Sequence, residues 1–339
     1  MPATERNIID KLWKKGRDFL GCELAIMGGA MTWVSERHLV AALSNAGAFG
    51  VIACGAMNPE LLRAEIRATQ ALTQKPFGVN LITLHPDLDA LIDVCLEEKV
   101  THVVLAGGLP SGAAIARIKK GGAKVMGFAP ALVLAKKLIR SGIDALVIEG
   151  SEAGGHIGPV STFVLAQEIL PFIHEVPIFA AGGIGRGEGI LAMLELGAAG
   201  VQLGTRFVCA SESIAHPSFK KAFLNAASRQ AQASPQLDNR FPVIPVRAIE
   251  NEGTKAFVEK QKEVIAKFDQ GGLEPKAAQL EIEHFWAGAL RRAVMEGDIE
   301  KGSLMAGQSV GMVEKEQSTA EILKDLLTQA EAALIRRGA

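Results

Sequence analysis

Ala145-Leu-Val-Ile-Glu-Gly-Ser-Glu-Ala-Gly-Gly-His-Ile-Gly158 runs an unbroken apolar stretch straight into a glycine-rich turn that holds two carboxylates and one imidazole. Four consecutive apolar residues bounded by glycine read as a parallel strand covered on both faces. A strand that ends in glycines, where backbone can approach a ligand closely, has the form of a βα loop at an active-site rim. His156 is therefore the first candidate for chemistry.

Working outward, the same unit recurs. Apolar runs bounded by glycine or proline predict strands at 23–27, 49–53, 77–81, 102–105, 124–128, 145–148, 177–180 and 200–203. Between them, apolar residues at three- and four-residue spacing predict helices at 36–43, 59–72, 87–98, 131–139, 163–169 and 187–196. Successive strands begin roughly 20 to 32 residues apart, the spacing of a TIM (β/α)8 barrel. A doubly wound sheet would want G-x-G-x-x-G after its first strand, and Ile26-Met-Gly-Gly-Ala-Met31 stands there instead. The rhythm breaks after Phe207. Residues 211–304 are more polar and more helical, with a loop-like stretch over 233–242, and read as a helical cap on a barrel built from 1–210 and 305–339. A final amphipathic helix over 318–336, opened by a Ser318/Glu321 capping box, is expected to pack back on the barrel.

Composition works by exclusion. With 339 residues, 48% hydrophobic, and a net charge of -1, nothing argues for nucleic acid or a membrane surface, and a small-molecule substrate is expected. No stretch approaches the roughly 20 apolar residues of a membrane span, and the charged N-terminus lacks a signal peptide's apolar core. Cys22, Cys54, Cys95 and Cys209 stand far apart, as small buried hydrophobes in a reducing cytoplasm would, and no metal site is expected.

In a parallel barrel all βα turns open on one face. The seventh turn, Ala181-Gly-Gly-Ile-Gly-Arg-Gly187, and the eighth, Gln202-Leu-Gly-Thr-Arg-Phe207, are adjacent there and together predict a phosphate site. No Walker A motif and no G-x-S-x-G elbow occurs. Glu149 and Glu152 are read as cap and turn residues. Of seven histidines, His38, His85, His174 and His284 read as surface or capping groups, His102 as a satisfied rim histidine, and His216 as ambiguous. At the other loops, Gly28-Gly-Ala-Met-Thr-Trp33 would let a flat ring lie against backbone, and Asn80 offers a donor and an acceptor to a heteroaromatic edge; a flavin fits those demands.

With these segments in hand, the chain resembles the flavin-dependent barrel family that contains nitronate monooxygenases (2-nitropropane dioxygenases) and FabK-type enoyl-ACP reductases. The matching stretches are Gly28–Trp33, Pro76-Phe-Gly-Val-Asn80, Glu152-Ala-Gly-Gly-His-Ile-Gly158, Ala180-Ala-Gly-Gly-Ile184, Gly200-Val-Gln-Leu-Gly-Thr-Arg-Phe207 and Met305-Ala-Gly-Gln308, spread over nearly the whole chain. The resemblance implies an FMN across the barrel mouth, its ring against Ala30, Met31 and Thr32, with Asn80, Ala153, Gly154 and Gln308 beside it. Gly182, Gly183, Gly204 and Thr205 would hold its phosphate, with Gln202 and Leu203 nearby, and His156 matches the family's catalytic histidine. Arg206, the Glu212-Ser and His216-Pro pairs, Val246-Arg-Ala-Ile249 and the long cap lean toward the NAD(P)H-dependent enoyl-thioester reductases, with His156 as acid or oxyanion donor. Nitronate monooxygenase and NADH:quinone reductase are the alternatives within the family. A homodimer is expected, and a basic cap surface of Lys220, Lys221 and Arg229 is read either as a docking face for an acyl carrier protein or as a solvated helical face.

Overall fold

The computed structural model describes residues 3–241, 244–286 and 288–338. In chain order its strands are β1 (Ile26–Gly28), β2 (Phe49–Ala53), β3 (Gly78–Ile82), β4 (His102–Ala106), β5 (Lys124–Phe128), β6 (Ala145–Glu149), β7 (Gly155–His156), β8 (Ile178–Ala181), β9 (Gly200–Leu203), β10 (Ala231–Ala233) and β11 (Val246–Ile249). Strands β1 to β6, β8 and β9 are parallel and close into an eight-stranded barrel, β9 returning to β1 with Gln202 beside Met27. Helices fill the intervals, so each strand is covered outside by a helix and inside by its neighbours' side chains.

Aromatic rings plug the N-terminal end of the barrel. Phe49 and His102 meet with ring centroids 4.9 Å apart, and Phe19, from helix Lys14–Leu20, packs on both His102 (5.2 Å) and Phe179 (6.3 Å). Rings from β2, β4 and β8 can meet this way only inside the barrel, which fixes which side of each strand faces inward. His102 is satisfied there, with Nδ1 2.9 Å from Thr101 Oγ1 and Nε2 2.9 Å from Phe19 O. It stands on the floor rather than at the rim.

Helix Thr319–Arg336 packs on helix Gly187–Glu195, and its N-terminus carries the capping box: Ser318 accepts from Glu321 N while Glu321 Oε2 accepts from Ser318 N at 2.8 Å. The two helices touch at Gly187, where a Cβ would lie 2.0 Å from Leu326 O and 2.5 Å from Ala330 N. Gly187→Ala is expected to cost on the order of 2–3 kcal/mol by forcing the helices apart, read as a lower denaturation midpoint. An unchanged midpoint would show that the pair slides without penalty.

The region over 211–304 is not purely helical. Strand β11 lies between β10 and β7 in an antiparallel three-stranded sheet, so a cap strand pairs directly with the loop that carries His156. Helix Pro217–Asn225 buries Phe219 and Phe223 in the main core, whereas Phe241, Phe257, Val264, Ala278 and Ile282 form a second, separate core. Ala233, expected to start a loop, ends β10, and Pro242 lies outside the described residues. Among the described residues, no helix is long and apolar enough to cross a membrane.

Candidate active site

The barrel's C-terminal mouth is built from the inward positions above the aromatic floor. Phe179 points inward and pairs with Val147, so Glu149 and Ala181, two residues further along β6 and β8, also point inward and sit side by side. Gln202 is in register with Ala181, and Met27 with Gln202. Asn80 takes the equivalent place on β3, in register with Ala53 and Val104, and donates from Nδ2 to Val104 O at 3.3 Å. Asn80 and Gln202 are both buried.

The loop after β1 is a compact turn pinned by one hydroxyl. Ser35 Oγ donates to Gly29 O and accepts from Met31 N, both at 2.9 Å. This leaves Ala30, Met31 and Thr32 half-buried at the rim, with Trp33 in the left-handed region at φ 70°, an uncommon conformation for a bulky residue. Gly29 must be glycine-small because the Gln202 side chain lies over it, 3.2 Å from where a Cβ would stand. Met31 in turn approaches Gly204 from the far side of the mouth.

The loops after β8 and β9 lie on adjacent strands at the mouth. Gly182 and Gly183 have φ of 93° and 71°, which favours glycine, and the N–H groups of Gly182, Gly183, Gly204 and Thr205 have no acceptor among the described residues. Four free backbone donors on two adjacent loops fit a phosphate. Thr162 supports the first of these loops from behind, with Oγ1 3.0 Å from the carbonyl oxygens of Ala181 and Gly182. Glu152 is a capping group, since its Oε2 accepts from Thr162 N at 2.8 Å at the start of helix Thr162–Ile169. Glu149 is not: its carboxylate has no partner among the described residues, and burial pushes its pKa up to about 7.

The C-terminal segment completes the rim. Gly307 N donates to Thr205 Oγ1 and Gln308 N to Glu152 O, each at 2.9 Å. A Cβ on Gly154 would lie 2.6 Å from Gly307 N, and one on Gly307 would lie 2.7 Å from Glu152 O, so the Ala153–Gly154 backbone and the 306–308 segment are laid flush on each other. Gln308 and Leu203 thus belong to the same rim as Thr205.

His156 stands on β7, directly opposite Val246 of β11. Its ring is open to solvent, yet the surrounding protein desolvates it and holds its pKa below the ordinary histidine value. The expectation of a turn histidine needs correcting: β11 fixes the backbone of this residue, and Ile157 N adds a hydrogen bond to Pro245 O at 3.0 Å. Three other histidines are engaged elsewhere: His38 Nδ1 with Glu36, His85 Nδ1 as acceptor from Asp87 N, and His216 as the N-cap of helix Pro217–Asn225. Burial pushes the thiols of Cys22, Cys54 and Cys209 up to about 12, which removes them as nucleophiles.

Two expectations about charge change. Arg206 is buried and turned to the C-terminal segment, with Nη2 donating to Gln317 Oε1 at 3.0 Å. Lys220 is buried too; its Nζ bonds Ala210 O at 2.8 Å and Glu316 Oε1 at 2.9 Å, so it cannot belong to a docking surface, whereas Lys221 and Arg229 are exposed. What the sequence left unmarked is the support: Ser35, Thr162 and β11, of which only the β-prone Val246-Arg-Ala-Ile249 run carried a readable signal.

The nitronate monooxygenase family model matches residues 15–91 and 88–329. A solved structure of FabK from Thermotoga maritima superposes with a TM-score of 0.85 at 37% identity, covering 95% of this chain and 97% of that one. A nitronate monooxygenase of Paraburkholderia phytofirmans is 34% identical over 269 residues, 66% of this chain and 73% of its own. A (3aS,4S,5R,7aS)-5-hydroxy-7a-methyl-1-oxo-octahydro-1H-indene-4-carboxyl-CoA dehydrogenase of Rhodococcus jostii is 29% identical over 334 residues, 92% of this chain and 94% of its own. With a matched model spanning nearly all of its length and a barrel whose mouth carries the matching histidine and glycine loops, this chain is an oxidoreductase that belongs to the nitronate monooxygenase family.

Proposed function

We infer that the protein is an FMN-dependent enoyl-thioester reductase driven by NADH or NADPH. The observation that carries this reading is the likeness to FabK, 37% identical with a TM-score of 0.85 over 95% of the chain. The Rhodococcus relative, named for a carboxyl-CoA substrate, supports a thioester as the substrate class. When bound, FMN supplies two-electron hydride chemistry. Gly182, Gly183, Gly204 and Thr205 would hold its phosphate through their free N–H groups, and Ala30, Met31, Thr32 and Asn80 would meet its ring. His156, whose surroundings desolvate it and favour the neutral ring, would donate a ring N–H to the thioester oxygen as negative charge gathers there.

The test is anaerobic mixing of the FMN-loaded protein with NADH or NADPH, followed by crotonyl thioester. Bleaching and then rapid reoxidation is expected. The same neutral imidazole keeps a lone pair able to take a proton from a nitroalkane, which favours nitronate monooxygenase as the second reading. Bleaching by a nitronate and by neither nucleotide would establish that reading instead. For a carrier-bound substrate, charge reversal at Lys221 and Arg229 should raise KM and spare the free thioester.

A further inference from the structure

Two cations stand on the loops proposed above to hold the phosphate, and the fold treats them differently. Arg186, after β8, is exposed and paired with Glu188 at 3.2 Å, so its charge is answered at the surface. Arg206, directly after Thr205, is buried and has no acid partner among the described residues. Its Nη2 donates to the neutral amide of Gln317 at 3.0 Å, and its Nη1 has no acceptor among the described residues. Burial lowers its pKa, opposed in part by Asp325, Cys209 and Glu314, yet a guanidinium keeps its proton at any ordinary pH. With the side chain enclosed, this charge acts on its neighbours through space rather than by contact, and water does little to screen it.

The C-terminal segment fixes the arrangement. Gln317 donates from Nε2 to Asp325 Oδ2 at 2.7 Å, which leaves its amide oxygen to Arg206. The helix that carries Asp325, Thr319–Arg336, also reaches the other loop: Gln329 Oε1 accepts from Gly187 N at 2.9 Å, where the loop after β8 enters its helix. One helix thus holds both loops. It also places a carboxylate one amide beyond the arginine, close enough to offset part of the charge and too far to pair with it. Thr205, whose N–H is one of the four free donors, adjoins Arg206 in the chain, so covalent geometry keeps the guanidinium within about 10 Å of that donor. Across such a distance of protein, attraction between a cation and a phosphate dianion is worth about tenfold in affinity or more.

Resting on the FMN reading above, we propose that Arg206 is a positioning residue for the cofactor: held by Gln317 and Asp325, it supplies an unneutralised buried charge that draws the FMN phosphate into the loops after β8 and β9.

Titration of the full chain with FMN and with riboflavin, which lacks the phosphate, tests this by flavin fluorescence. Arg206→Gln is expected to weaken FMN about tenfold or more and to leave riboflavin within about twofold. Arg206→Lys keeps the charge and should recover most of the FMN affinity. Asp325→Asn removes the opposing charge, keeps an acceptor for Gln317, and should tighten FMN with riboflavin unchanged. Equal losses for the two flavins in Arg206→Gln would make the arginine a structural tie and overturn the assignment, as would unchanged affinity for both. Weaker FMN with unchanged riboflavin in Asp325→Asn would give the field the wrong sign and overturn it too. If the wild type binds neither flavin, the rise of its denaturation midpoint in inorganic phosphate separates the two ideas. A rise that Arg206→Gln abolishes and Arg206→Lys keeps would end the FMN reading and leave the charge assignment standing, whereas no rise would end both.

Discussion

Replacing His156 by alanine should lower the rate of the substrate half-reaction by about 10²- to 10⁴-fold, the usual contribution of one positioned acid–base or oxyanion-stabilising group. Reduction by NADH or NADPH should stay within about twofold of wild type, since no group assigned to phosphate or ring binding is touched. The split follows from where His156 sits. It stands on β7, paired to the cap, whereas the phosphate site proposed above lies on the loops after β8 and β9 and the proposed ring wall on the loop after β1. Removing the imidazole deletes a side chain and leaves the β7–β11 backbone pairing in place. Stopped-flow absorbance of the two half-reactions separates the outcomes. Equal loss in both would mean the substitution disturbs the mouth as a whole, and loss in neither would remove His156 from the chemistry.

The barrel was legible because its strands are buried on both sides. The runs at 49–53, 124–128 and 200–203 coincide with β2, β5 and β9, each mostly apolar or small, with Lys124 and Gln202 as the polar members. The first strand is shorter than expected, Ile26–Gly28 instead of 23–27, because Glu23 N and Leu24 N both bond to Gly47 O and take that backbone out of the barrel ladder. The cap sheet was not legible. Strands β7 and β10 are two and three residues long, too short for a period to show, and β7 forms only because Val246 comes back to His156 from 90 positions away. Lys220 misled for a related reason: a lysine in a charged run reads as surface, and its burial depends on Ala210 O and Glu316, which the fold brings together. The two carboxylates of the His156 loop show the limit most clearly. Glu149 and Glu152 look alike in sequence, and only the strand register turns one into the barrel and the other onto a helix N-terminus.

That difference gives Glu149 a stability signature of its own. Its folded pKa of about 7 stands above the 4.5 of a free glutamate, raised by burial without any compensating partner. Below pH 4.5 both folded and unfolded chains carry the proton and the group contributes nothing. Between about 4.5 and 7 the unfolded chain releases it while the folded chain keeps it, so stability is lost as pH rises and the loss levels off above 7. At roughly 1.4 kcal/mol per pH unit, and discounting for water at the mouth, the full loss is about 1–3 kcal/mol. Glu149→Gln keeps the shape and a donor and never ionises. Chemical denaturation of variant and wild type at pH 5, 6, 7 and 8 should therefore show the variant gaining steadily on the wild type, with the gain complete by about pH 8. Partnered carboxylates such as Glu98, Glu188 and Glu281, whose pKa values are lowered, shift both proteins equally and cancel in the difference. Parallel curves would mean that Glu149 is solvated like a surface carboxylate. A widening gap would mean that the mouth holds a neutral carboxylic acid at pH 6, a hydrogen-bond donor in register with Ala181 and Gln202 where a ligand's acceptor would rest.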